Sequence, residues 1–277
     1  TEDLSPPAKG KSVLGLRCKP LSTVRIGVVG LGRGAGAVKR MAQIEGTEIV
    51  AICDLNPERI ENSQKTLKNS NRKEAVAYTG EEDWKKMCER DDIDLVYIAT
   101  PWKWHTPIAV YAMECGKHVA VEVPAAGTLE DCWQLVETSE RTKKHCMQLE
   151  NCCYDFFEIL TVNMVQKGLF GEVIHGEGAY IHELLSGMFG EPQWPTWRWD
   201  ENHKSGNPYP THGLGPVCWA MNINRGDKME YMTSMSTDDF LMEAKAKELA
   251  VQNDYYKPMA AMKYRGNMNT STVRTAK

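Results

Sequence analysis

Apolar residues along this chain recur in two rhythms that take turns. From Thr23 onward, short β-branched runs are each followed by a longer segment whose apolar positions fall three or four residues apart. The first rhythm predicts strands at 25–29, 49–53, 95–99, 118–121 and 147–150, with a short one at 75–78. The second predicts helices between them: one opened by Asn56-Pro57-Glu58, one over 81–90, one over 106–115 ended by Gly116, and one over 129–143. In the last of these, Leu129, Cys132, Trp133 and Val136 form the apolar face, and Trp133 reads as core. Apolar runs alternating with helices are what a parallel sheet covered on both faces requires.

Past residue 151 the pattern changes. A helix is expected over 156–167, stopped at Gly168, and 172–182 alternates like a strand of a second, open sheet. Residues 187–210 are rich in Trp, Pro and charge, too long and too aromatic for a plain connector. Their Trp194, Trp197 and Trp199 fit core, a partner surface or a stacking face for sugar rings. Tyr209 to Pro216 reads as a turn leading into a short helix. A strand at 228–236, a helix at 243–250 and a threonine-rich strand within 266–277 complete the reading. The expected fold class is therefore α/β: a doubly wound parallel sheet, then an α+β domain with an open, largely antiparallel sheet. The boundaries expected are an N-terminal arm over 1–22, anchored by Val13-Leu14-Gly15-Leu16, a first domain over 23–151 and a second over 152–277. The second sheet is not finished by Lys277, so that domain is expected to be incomplete.

Chemistry enters at the first strand. Gly30, Gly32 and Ala35 fit G-x-G-x-x-G/A, the turn that lets a dinucleotide pyrophosphate approach the backbone at a helix N-terminus. Asp54, 24 positions after Gly30, ends the second strand where such folds hold the adenosine ribose hydroxyls. The first domain is thus expected to be of Rossmann type. Ligands of such sheets bind beyond the carboxyl ends of the strands. There the chain places Thr100-Pro101-Trp102-Lys103-Trp104-His105, Glu122-Val123-Pro124-Ala125-Ala126 and Glu150-Asn151-Cys152, which together sketch the wall of one cofactor cleft.

Bulk properties narrow the classes. The 277 residues are 42% hydrophobic and 25% charged, and 37 Asp and Glu outnumber 33 scattered Lys and Arg, which leaves no nucleic-acid footprint. No apolar run approaches a membrane span. Nine cysteines, odd in number and without a C-x-x-C pair, read as small core residues in a reduced, cytoplasm-like folding environment, with no metal expected. The first residues lack the apolar core of a signal peptide, and export of the folded protein to the periplasm stays open.

From Val24 onward the chain resembles the Gfo/Idh/MocA family of NAD(P)-dependent sugar oxidoreductases. The hallmark of that family is Glu-Lys-Pro after the fifth strand, where lysine helps move the proton that accompanies hydride transfer. Here the tripeptide is Glu122-Val123-Pro124, and valine moves no proton. With Trp102 to His105, Glu150-Asn151, Tyr180-Ile181-His182 and Tyr209-Pro210-Thr211-His212-Gly213-Leu214-Gly215-Pro216, the chain is similar to one branch: the NAD-dependent glycoside hydrolases of family 109, which include α-N-acetylgalactosaminidases.

The resemblance implies a tightly held NAD, favoured over NADP, contacted by Gly30, Gly32, Arg33, Gly34, Asp54, Trp102, Lys103, Trp104, His105, Glu122, Val123 and Asn151. It implies that Tyr180, Arg198, Tyr209, Pro210, Thr211 and His212 contact a sugar, with a further substrate tyrosine falling beyond Lys277. The chemistry it implies is oxidation at C3, elimination across C1 and C2, addition of water and re-reduction, with no net oxidation. His212 is then the expected base at the C3 hydroxyl and Tyr180 at C2, with His182 or Glu150 assisting the leaving group or orienting substrate. A conventional sugar dehydrogenase and a non-catalytic NAD-binding relative are the alternatives. The partner expected is a small-molecule or glycan substrate, with pairing of two copies through the C-terminal sheet.

Overall fold

The computed structural model describes residues 10–204 and 206–277. The first nine residues of the arm, with Pro6 and Pro7, lie outside the described residues, as do Ser205 and the side chain of Trp194. The chain divides into two compact units, the first ending at Leu149 and the second beginning at Glu150.

The first unit is built on six strands: β1 (Val24–Val29), β2 (Thr47–Cys53), β3 (Val76–Tyr78), β4 (Leu95–Ile98), β5 (His118–Glu122) and β6 (Cys146–Leu149). All neighbours are parallel, in the order β3-β2-β1-β4-β5-β6. This is the order of two mononucleotide-binding halves joined at β1 and β4, and the order reverses between those two strands. The connections are α1 (Gly34–Met41), α2 (Pro57–Asn69), α3 (Asp83–Cys88), α4 (His105–Glu114) and α5 (Leu129–Thr142).

Side chains alternate across the central strands and feed two cores. Ile26, Val28 and Ile52 pack with Ala37, Val38, Ile60 and Leu67 of α1 and α2. Val29, Ala51 and Cys53 face the other way, onto Met87, Ile108, Ala112 and Met113 of α3 and α4. Burial pushes the Cys53 thiol up to about 12, as befits a cysteine used as a small hydrophobe. Helix starts follow the sequence signals. The Asn56 side chain accepts from the Glu58 N–H at 2.8 Å with Pro57 in the first turn, and Thr128 with Asp131 forms a reciprocal capping box.

Two expectations in this unit need correction. The buried face of α5 is Leu135, Thr138 and Ser139, whereas Leu129 and Val136 are about half exposed and Trp133 is half-buried. The helix covers edge strand β6 and leans on α4, so only a narrow stripe is enclosed. In the arm the anchor is narrower than expected: Leu14 is 83% exposed, and Val13 and Leu16 are the half-buried residues of the four.

The second unit holds α6 (Phe156–Gln166), a short hairpin of β7 (Gly190–Glu191) and β8 (Trp194–Pro195), α7 (Arg198–Glu201) and α8 (Pro210–Ala220). It continues with β9 (Met229–Ser236), α9 (Met242–Gln252), α10 (Lys257–Ala260) and β10 (Asn269–Thr275). β9 and β10 pair antiparallel, and Met188, Phe189, Met242, Ala246, Tyr256, Met259 and Tyr264 form the core.

The strand expected over 172–182 is absent: the segment is exposed and irregular. Alternation makes a strand only where a neighbour completes the ladder, and no described strand pairs with it. The turn expected at Tyr209 to Pro216 is also corrected. Pro210 is the first residue of α8, so Thr211, His212, Gly213 and Gly215 are all helical. Proline is at home in a first turn, where no N–H is needed, and the glycines are there for packing.

Candidate active site and cofactor crevice

In the first unit the strand order reverses between β1 and β4, the place where sheets of this kind take their ligand. Gly30 has φ +86°, and a Cβ there would lie 2.6 Å from the Ala99 carbonyl oxygen. No other residue type fits both the conformation and the approach. Gly32 is exposed, with room above its Cα. The third small position works differently from the fingerprint expectation: Ala35 is half-buried, and Gly34, the first residue of α1, packs on Val28 and Ala99. Arg33 is exposed.

Asp54 ties this turn to the second strand. Its Oδ2 accepts from the Leu31 N–H at 2.6 Å and its Oδ1 from the Asn56 N–H at 2.8 Å, while Arg59 stands 3.6 Å away. At the end of β4 the Thr100 hydroxyl is buried with no hydrogen-bond partner among the described residues. A glycine turn closed to any side chain at Gly30, a carboxylate at its rim and an orphaned hydroxyl beside it fit a dinucleotide.

The strand-end residues separate in role. Glu122 accepts from the Tyr97 hydroxyl at 2.5 Å. Burial first, then the Glu122 carboxylate, push the Tyr97 phenol up, so it is a held donor. Val123 is 7% exposed, and the following peptide to Pro124 is cis. Trp102 and Lys103 lie on a single helical turn with Trp104, whose ring is 6.4 Å from that of Trp84. His105 is buried, its Nδ1 2.7 Å from the Pro124 oxygen and its Nε2 2.8 Å from the Thr100 oxygen. It stands between the loops after β4 and β5, where the neutral ring has one N–H to give to one of the two oxygens.

The second unit gathers the other sequence-predicted residues around α8. His212 Nδ1 lies 2.7 Å from Glu150 Oε1, and both side chains are about nine-tenths buried. A carboxylate oxygen accepts, so a ring proton on Nδ1 completes this contact and Nε2 is the nitrogen turned away from Glu150. The Tyr209 ring stacks on His212 at 5.2 Å and 7°, and the Tyr180 ring tilts against it at 4.7 Å. The Tyr180 hydroxyl is 2.9 Å from Nδ1 of exposed His182, and Arg198 donates to the Tyr209 hydroxyl at 3.1 Å. Thr211 keeps a buried hydroxyl without a partner among the described residues. Asn151 donates its amide to Cys152 Sγ at 3.6 Å.

Glycines make this cluster. A Cβ on Gly178 would lie 2.0 Å from the Gly213 oxygen, and one on Gly213 would lie 2.8 Å from the Gly178 carbonyl carbon. Backbone crosses backbone there, which sets Tyr180 against His212. A Cβ on Gly215 would come within 3.0 Å of Cys153 Sγ and 3.1 Å of Glu150 Cγ, so α8 reaches the Glu150 segment through a glycine.

Residues 24–149 match the model of an oxidoreductase family with an NAD-binding Rossmann fold, and residues 154–277 match the C-terminal domain of glycosyl hydrolase 109. The chain belongs to glycosyl hydrolase family 109. It is 58% identical over 235 residues to glycosyl hydrolase family 109 protein 1 of Bacteroides fragilis, covering 83% of this chain and 50% of that one. It is 50% identical over 273 residues to an alpha-N-acetylgalactosaminidase of the same species, covering 96% and 63%. The chain thus spans about half the length of the first of these relatives. Among solved structures, myo-inositol 2-dehydrogenase of Lactobacillus plantarum superposes with a TM-score of 0.64 at 18% identity, over 92% of this chain and 67% of that one, a likeness of fold.

For a family 109 chain, the sequence reading overlooked four participants. Tyr97 hides among the strand residues of β4, where an aromatic needs no explanation. Gly178 and Gly213 gave no signal because their contact joins distant segments. Arg265 is pulled down to about 10 by burial, is pushed the other way by neighbouring Tyr209, and donates to Asn202. The tryptophans divide: Trp199 packs on the core and Trp197 carries the Arg198 guanidinium 4.9 Å over its ring. Among the described residues no helix is long and apolar enough to cross a membrane.

Proposed function

We propose that the protein is an NAD-dependent glycosidase that acts on a terminal sugar such as α-N-acetylgalactosamine. The observation that carries this reading is the contrast between Val123 and His212. The strand-end position that holds a proton-moving lysine in sugar dehydrogenases is an almost buried valine here. A histidine with a carboxylate on Nδ1 supplies the missing base from α8.

The glycine turn, Asp54 and Glu122 would hold the cofactor, with Trp102 to His105, Val123 and Asn151 around it. Asp54 at the ribose disfavours a 2′-phosphate, so NAD is favoured over NADP, held tightly enough to be recycled in place. Bound NAD would supply the hydride acceptor at the sugar C3 and return the hydride at the end. His212 Nε2 takes the C3 hydroxyl proton, and Glu150 stabilises the resulting imidazolium across Nδ1. Tyr180, hydrogen-bonded to His182, removes the C2 proton once C3 is a ketone, and the C1 substituent leaves by elimination. Water then adds at C1. Tyr209, Arg198 and Thr211 position the ring, and stacked aromatic faces suit a sugar.

The test is incubation with an aryl N-acetyl-α-galactosaminide, with and without added NAD⁺, following phenol and NADH together. Phenol without net NADH is expected. Net NADH with free sugar would instead identify a sugar dehydrogenase.

A further inference from the structure

Glu150, Cys152 and His212 each offer one ligand atom, and the three atoms lie within 4.8 Å of one another. Glu150 and Cys152 are brought together by a single helical turn, Asn151–Cys153, in which the Cys152 N–H donates to Glu150 Oε1 at 3.0 Å. His212 comes from α8, admitted by the close approach at Gly215. The cluster is therefore assembled by two separate elements packed through a glycine.

A second observation points to a ligand. Glu150 is 7% exposed, and its Oε2 is buried with no hydrogen-bond partner among the described residues. A buried carboxylate oxygen left unpaired is costly, and a cation satisfies it better than a neutral donor. The Asn151 amide meanwhile steadies the Cys152 sulfur at 3.6 Å, the kind of outer contact that orients a ligand.

The donor set decides the ion. Carboxylate, thiolate and imidazole together suit a borderline-soft ion such as zinc, whereas magnesium and calcium select oxygen ligands. Three protein ligands leave a fourth position open. We propose that Glu150, Cys152 and His212 form a binding site for one zinc-class divalent cation, and that occupancy switches the His212 base off.

The proton count explains the inhibition. On binding, the Cys152 thiol gives one proton to solvent, Glu150 contributes its carboxylate, and His212 binds through Nδ1, the nitrogen that now faces Glu150. The Nδ1 proton is displaced and Nε2 takes one up, so one proton is released overall. Nε2 then carries a hydrogen and accepts none. The inhibition rests on the proposed role of His212; the binding does not.

Cobalt(II), which reports thiolate ligation by its charge-transfer absorption, tests the site directly. Titrated into the chelator-treated full chain, it is expected to bind one per chain with that absorption, and zinc is expected to displace it. Cys152→Ser should abolish the absorption, while Cys132→Ser, altering an exposed cysteine elsewhere, should keep it; matching circular dichroism and melting show that both variants fold. No absorption in the parent chain, or its survival in Cys152→Ser, overturns the site. Zinc should also inhibit glycoside hydrolysis, and Cys152→Ser should need more zinc by over the roughly 10–100-fold that outer-shell partners typically carry. Turnover unaffected by bound zinc overturns the switch. A chain that binds cobalt through Cys152 yet hydrolyses no glycoside keeps the site and overturns the functional reading instead.

Discussion

Glu150 Oε1 and His212 Nδ1 sit 2.7 Å apart although 62 positions separate the residues in the chain. The carboxylate fixes the tautomer, so the two act as a unit. Glu150→Gln, which can offer Nδ1 an uncharged acceptor only, is expected to lower hydrolysis by about 10²–10⁴-fold, the span of a general-base contribution. Combined with His212→Ala it should cost no more than His212→Ala alone. Rates for the two single variants and the double variant check this; additive losses would separate the roles.

The Gly178–Gly213 crossing makes a prediction about position without chemistry. Gly213→Ala puts a methyl 2.8–2.9 Å from backbone atoms of Gly178 and Ala179, which cannot rotate away. The segment carrying Tyr180 must shift, and a displacement near 1 Å costs about 10²-fold in rate. Gly187→Ala, where a Cβ would meet nothing within 4 Å, is the control and should match the parent in kcat/KM.

Asp54 holds the backbone of the glycine turn and is the residue proposed at the ribose. Removing both oxygens would orphan the Leu31 N–H that Oδ2 now holds. Asp54→Asn keeps an acceptor and loses the charge. It is expected to weaken NAD binding and narrow the gap to NADP, by about 1–3 kcal/mol where charged hydrogen bonds are lost. Calorimetric titration with both dinucleotides reads the change; an unchanged preference would remove Asp54 from the ribose.

His105 sets a pH dependence for the first unit. Burial holds its pKa below the ordinary 6.5, against the opposing pull of the Pro124 and Thr100 carbonyls and of Glu122. The unfolded chain therefore takes up the proton first as pH falls. Stability from this group is complete above about 6.5 and is lost as pH drops through the lower folded value. Denaturant unfolding across that window should show a falling midpoint, and His105→Gln should flatten the slope.

The alternation of rhythms made the first unit legible to within a few residues, because a doubly wound sheet repeats one local rule and its glycine turn obeys another. The second unit was less legible. Residues 172–182 alternate without a strand to pair with, and α8 begins one residue into a segment whose two glycines disguise a helix. The two errors differ in origin: a strand needs a partner that alternation alone does not reveal, and close backbone contact between distant segments writes glycine into α8 just as a turn would. His105 was legible as a strand-end residue, but its burial was not, since nothing local distinguishes a histidine that bridges two carbonyls from one facing solvent.

The central claim is that hydride leaves the sugar and returns within one turnover, with His212 and Tyr180 moving the protons. Hydrolysis of an aryl N-acetyl-α-galactosaminide in deuterated water tests it most directly, with phenol, NADH and the C2 position of the released sugar followed together. The account predicts phenol release, deuterium at C2 and no net NADH, with exchange lost in Tyr180→Phe. Hydrolysis that leaves C2 undeuterated would contradict it.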